Sequence, residues 1–121
     1  MTQFSASFAR TASALLLSLV AVPALAMDFL EAAPKQSKVL IDNDKVRIIE
    51  VKMSKGDKIP MHTHPAAVVY VIKAGKVRWT AEDGKVSETQ GKDGDTLYRP
   101  AVTHAHEHLE ASHAILVELK K

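Results

Sequence analysis

The sequence predicts an all-β fold, a small antiparallel β-barrel, on three observations. After residue 38 the chain becomes a succession of short apolar segments broken by turn residues, the pattern of a sandwich or barrel. One segment, Lys76-Val77-Arg78-Trp79-Thr80-Ala81-Glu82, alternates strictly, which places Val77, Trp79 and Ala81 inward and the charges outward. Beyond the first 26 residues no segment carries a long helical stripe.

Taken in order, residues 1–26 read as a secretory signal. Arg10 is the only charge, Ala12 to Val22 is an apolar run, and Ala24 and Ala26 sit at an A-x-A cleavage site. The run is shorter than the roughly 20 apolar residues that span a hydrocarbon core. The expectation is export to the periplasm or beyond, cleavage after Ala26, and no stable membrane anchor. Residues 27–37 have mixed polarity, a proline at Pro34 and no clear period, so they are expected to be a lead-in that packs loosely and carries no chemistry. The barrel domain is residues 38–121.

Within it, Val39-Leu40-Ile41 is the first strand, closed by the turn residues Asp42-Asn43-Asp44. Lys45 to Met53 is the second, with Ile49, Val51 and Met53 on one face and Glu50 and Lys52 on the other. Gly56-Asp57 breaks it, and Pro60 confines the next segment to a sheet edge or the start of a strand. Ala67 to Ile72 is a continuous β-branched and aromatic run, which predicts a strand buried on both faces. Asp83-Gly84 between the next two strands is a two-residue hairpin signal. Gly91 to Asp95 makes a turn, Thr96 to Arg99 a short strand and Ala114 to Leu119 the last.

Composition narrows the function. With 46% apolar and 25% charged residues in 121, the chain supports one folded domain rather than a disordered tract. A net charge of +2 with lysines scattered singly provides no footprint for a phosphate backbone, so nucleic acid is not an expected partner. Cysteine is absent, which excludes disulfides, thiolate ligands and a Cys nucleophile. Any transition-metal site must then use His, carboxylate or water. The minimal motifs of serine hydrolases and of nucleotide or dinucleotide binding are also missing.

All six histidines fall in two windows, His62 and His64 in the first, His104, His106, His108 and His113 in the second. Two histidines separated by one residue share a strand face, so His62 and His64 can converge on one point. A third imidazole from a neighbouring strand completes a set of three nitrogen donors that suits first-row divalent metals and leaves coordination positions open.

The two windows carry a resemblance to the cupin family that covers most of the chain after residue 26. Gly56, His62, His64 and Gly75 match the first family motif, but its glutamate position falls on Val68, which cannot ligate a metal. Gly94, Pro100 and His104 are similar to the second motif. There Val102 replaces a usual glycine, His104 stands one residue closer to the proline, and His108 takes the usual asparagine position. The resemblance implies a double-stranded β-helix of jelly-roll type, with His62, His64 and His104 as ligands to a divalent transition metal such as Fe, Mn, Ni, Cu or Zn. Loss of the carboxylate ligand leaves two readings, a three-His centre or a barrel that has lost tight metal binding. The irregular second motif also leaves open that His106 or His108 ligates.

Other residues can line or rim the cavity. Arg99 can hold a substrate carboxylate bidentately, and Tyr70, Trp79 and Tyr98 are candidate wall residues. Glu107 and Glu110 flank the second window and can orient an imidazole. His113, alone before the last strand, is expected to be structural or exposed. The expected function is an exported metal-binding protein that takes a small molecule into its barrel, as an enzyme of dioxygenase or isomerase type or as a non-catalytic binding module. Fold alone does not choose between them. A metal-free scaffold with pH-responsive histidines is a third reading. The family resemblance also implies a homodimer, with Val39 to Ile41 as an edge strand free to pair.

Overall fold

Where apolar residues alternate, as at Ile49, Val51 and Met53, one strand face turns inward, and the strands form two sheets. The computed structural model describes residues 27–121, and the expected signal segment lies outside them. In chain order the elements are β1 (Met27–Asp28), α1 (Phe29–Ala32), β2 (Ser37–Asp42), β3 (Val46–Met53), β4 (Lys58–His64), β5 (Ala67–Lys73), β6 (Lys76–Ala81), β7 (Val86–Gln90), β8 (Thr96–Arg99), β9 (Val102–His108) and β10 (Ser112–Leu119). One five-stranded sheet runs β1-β4-β9-β6-β7, the other β2-β3-β10-β5-β8. All pairs are antiparallel except β1 with β4. The fold is therefore all-β and jelly-roll-like, with two facing sheets in place of a closed barrel. Among the described residues no helix is long and apolar enough to cross a membrane.

The core follows the expected alternation on β3, where Ile49, Val51 and Met53 are buried while Lys52 is exposed. Ile59, Phe29 and Ala33 join them. Three expectations are corrected. The lead-in does not pack loosely: Phe29 is 2% exposed and Ala33 0%, and Asp28 caps α1 by accepting from the Leu30 N–H at 3.1 Å. The strand Ala67 to Ile72 is buried on one face only, with Ala67 and Val69 inward and Tyr70 and Ile72 exposed, because nothing among the described residues covers the outer side of this sheet.

The third correction concerns the Asp83-Gly84 turn. A two-residue type I′ loop needs positive φ at both central residues, and Asp83 has none, whereas Gly84 stands at φ 88°. The Ala81 N–H donates to the Lys85 carbonyl at 2.8 Å and the Gly84 N–H to the Ala81 carbonyl at 2.9 Å. The loop is thus three residues, Glu82 to Gly84, with the glycine in the left-handed position that such loops require. As β6 ends here, Ala81 is exposed rather than inward.

Candidate metal centre

A β-bulge aims the first histidine pair. Opposite β9, Ile59 pairs with His106 but His62 pairs with His104, so β4 spends three steps where β9 spends two. Without the extra residue at Pro60 and Met61, strict alternation from buried Ile59 would point Met61 and Thr63 inward. With it, Met61 is exposed and His62 and His64 turn in. The bulge also explains how Pro60 sits inside a strand, since no ladder bond is needed from it.

His62 faces His104 directly across the β4–β9 ladder. The two are 0% and 7% exposed, and His64 is 8% exposed. One ring nitrogen from each of His62, His64 and His104 lies within 4.8 Å of the others. Their hydrogen bonds fix which nitrogens are free. His62 Nδ1–H donates to the Pro60 carbonyl at 2.7 Å, and His64 Nδ1–H donates to Glu118 Oε2 at 3.0 Å. The two Nε2 atoms then face each other at 3.0 Å, and two lone pairs so placed repel unless a proton or a metal cation lies between them. His104 Nε2 is buried with no hydrogen-bond partner among the described residues, an unsatisfied nitrogen whose cost ligation to a metal would remove.

Burial holds His62 and His104 in the ligand form. Desolvation lowers His62 to about 4, the nearby His64 adding to it while the Pro60 carbonyl opposes. Desolvation lowers His104 to about 3, with His62, His64 and Arg99 acting in the same direction. Neutral imidazole is the form that binds a metal, so the donor set fits a divalent transition ion.

His106 and His108 also point inward from β9 but bond to each other, His106 Nδ1 to His108 Nε2 at 2.9 Å, with Ser112 Oγ 3.1 Å from His108 Nδ1. Burial lowers His106 to about 2, neighbouring imidazoles adding to the effect. This pair flanks the three-nitrogen cluster. His113 lies elsewhere, bonded to Glu50 at 3.0 Å. Val68, at the glutamate position of the first motif, does not line the cavity, whereas its neighbour Val69 does.

Two residues the sequence does not mark shape the centre. Glu118, 1% exposed, accepts from His64 and from Arg47 Nε at 2.7 Å, and Arg47 Nη2 also reaches Asp28 at 2.8 Å. Burial works to raise the Asp28 pKa, but the Arg47 and Leu30 bonds outweigh it and lower it. Phe29 packs on His62 and His64 with ring centroids 5.1 and 4.7 Å apart, sealing that end. Glu118 hides in the apolar run Ala114 to Leu119. Only its inward register, shared with Ala114 and Leu116, separates it from a surface charge.

A cavity of about 140 Å³ adjoins the cluster, lined in part by His64, His104, His106, Trp79 and Arg99. Trp79 packs on His104 and His106 at 4.9 and 5.0 Å. Tyr70 and Tyr98 do not line it: they are 48% and 67% exposed on the outer face, because each is one residue out of phase with cavity-facing Val69, Val71, Leu97 and Arg99. Glu107 pairs with Arg78 and Glu110 accepts from the Lys76 N–H, so neither orients a histidine.

The cupin domain profile matches residues 49–119. No curated protein matches the chain. Among solved structures, a cupin domain from Bordetella pertussis Tohama I is 24% identical over 70% of this chain and 92% of its own, with a TM-score of 0.63. A conserved protein of unknown function from Streptococcus pyogenes is 28% identical over 70% and 73%, with a TM-score of 0.54. An RmlC-like cupin family protein with a double-stranded β-helix fold from Methanocaldococcus jannaschii is 19% identical over 69% and 78%, with a TM-score of 0.56. With the matched segment spanning more than half of the chain, this chain belongs to the cupin domain family.

Proposed function

We propose that the protein is an exported metal-dependent enzyme that holds a divalent transition metal on His62, His64 and His104 and acts on a small organic molecule in the adjoining cavity. The observation that carries the reading is the convergence of three buried imidazole nitrogens within 4.8 Å beside that cavity. Three neutral donors suit Fe, Mn, Ni, Cu or Zn, and the bound ion would supply a Lewis acid with open positions, as oxygenase and isomerase chemistry requires. The chain's own residues do the rest. Pro60 and Glu118 fix the tautomers of His62 and His64, Phe29 closes one end, and the apolar wall excludes water from the bound molecule. Export rests on the signal-like segment at residues 1–26, and a homodimer would use the exposed edge strand β2.

A second reading, a non-catalytic metal- or ligand-binding module outside the cytoplasm, is favoured by one feature. Among the described residues no Asp, Glu, Tyr or Cys lines the cavity, which leaves it without a carboxylate, phenol or thiol to act as general acid or base. Metal-loaded protein, supplied with small acids, phenols and diketones, separates the two. Turnover or oxygen uptake that disappears in His62→Ala supports the enzyme, and stoichiometric metal without turnover supports the module.

A further inference from the structure

The cavity has an unbalanced charge. Arg99 and Lys73 both line it and, among the described residues, no carboxylate does. The other two arginines among the described residues, Arg47 and Arg78, each pair with two carboxylates. Arg99 is half-buried and makes no ion pair or side-chain hydrogen bond with any described residue. A partly desolvated guanidinium without an acceptor is costly, and His62, His64 and His104 add no negative charge beside it.

Arg99 is also held in place. Its guanidinium carbon lies 4.6 Å from the centroid of Trp79, and Trp79 Nε1–H donates to Thr89 Oγ1 at 2.8 Å. A cation–π contact on an anchored indole fixes the guanidinium and leaves its N–H groups for an acceptor. Much of the remaining wall is apolar, built from Val51, Met53, Val69, Val71, Leu97 and Leu116, with the imidazoles of His64, His104, His106 and His108 along one side. At about 140 Å³ the space resembles engineered cavities of about 150 Å³ that take up benzene.

We propose that Arg99 is the anchor of a small organic carboxylate whose compact apolar body fills this cavity. The proposal rests on the reading of the cavity as a small-molecule site and names the substrate class. An apolar wall of this size favours an organic anion over inorganic phosphate, which has no apolar body to bury.

Trp79 is the only tryptophan of the chain, and it touches Arg99, so its fluorescence reports the site directly. Chelator-treated protein is titrated with benzoate, with benzamide as its neutral counterpart, and with inorganic phosphate. Benzoate is expected to change the emission saturably and to bind about 10-fold or more tighter than benzamide, the preference a charge-assisted bond supplies. In Arg99→Gln the ratio is expected to fall to about 1, and Arg99→Lys, which keeps charge without the fork, should retain part of it. In the wild type alone, added NaCl should weaken benzoate and spare benzamide, which keeps the test independent of whether the variants fold. Equal binding of benzoate and benzamide, a preference that survives in Arg99→Gln, tighter binding of phosphate, or a salt-insensitive benzoate affinity would each overturn the proposal. Because metal is absent throughout, failure of the metal centre leaves this result untouched. Absence of binding by both aromatics defeats the cavity reading itself, whereas equal binding defeats only the role of Arg99.

Discussion

His64 Nδ1–H donates to Glu118 Oε2 at 3.0 Å, and Glu118 is the only buried carboxylate among the described residues. Its other oxygen is held by Arg47, which Asp28 holds in turn. A chain of charges thus runs from the N-terminal strand to one ring of the centre and sets that ring's orientation.

Glu118→Gln keeps the shape and removes the charge. Metal affinity should fall by about 10- to 100-fold, the usual cost of losing such an outer partner, as read by competition with a chelator. Stability should fall by about 3 kcal/mol, the low end for breaking a buried pair, because Arg47 keeps Asp28. An unchanged metal affinity would show that Glu118 does not position His64.

The pH dependence has a definite sign. Desolvation is the main cause that lowers His62, His104 and His106, to about 4, 3 and 2, whereas in the unfolded chain each titrates near about 6.5. Between those values the unfolded state binds the extra protons, so stability rises with pH. It should therefore be complete above about 6.5 and fall as pH drops toward about 4, by up to about 1.4 kcal/mol per pH unit for each histidine. Urea midpoints of the metal-free protein between about pH 7.5 and 5 check this, and a flat profile would contradict it.

Phe29 belongs to a segment with no periodic pattern in the sequence. Phe29→Ala should cost about 3–5 kcal/mol by leaving a void, and it should admit water beside His62 and His64. The measurement is urea unfolding together with the rate of metal loss to a chelator. A cost below about 1 kcal/mol would mean the segment packs loosely after all.

Gly75 marks a close approach between backbones. A Cβ there would stand 2.3 Å from the Ala111 carbonyl oxygen, so Gly75→Ala should lose about 1–3 kcal/mol through forced backbone movement. Thermal unfolding compared with the wild type reads it.

Strands are legible in the sequence where one face is buried and the other wet, as on β3, and the two histidine windows are legible where His-x-His meets a third histidine. Legibility ends where tertiary context decides. Alternation alone cannot locate the bulge at Pro60 and Met61, which turns His62 and His64 inward. Nor can it tell the outer face of β5 and β8 from the inner, which is why Tyr70 and Tyr98 read as wall residues and lie outside. Glu118 and Arg47 are 71 residues apart, so their pairing has no local signature. Phe29 lies outside any periodic run, and its burial depends on a histidine pair more than 30 residues away.

The most direct test is metal content by mass spectrometry after equilibration with Fe, Mn, Ni, Cu or Zn, compared among the wild type, His62→Ala, His104→Ala and His108→Ala. The expected result is about one equivalent in the wild type and in His108→Ala, and less than about a tenth in the other two. A wild type that holds none of these metals, or a His104→Ala protein that keeps its full equivalent, would contradict a centre built on His62, His64 and His104.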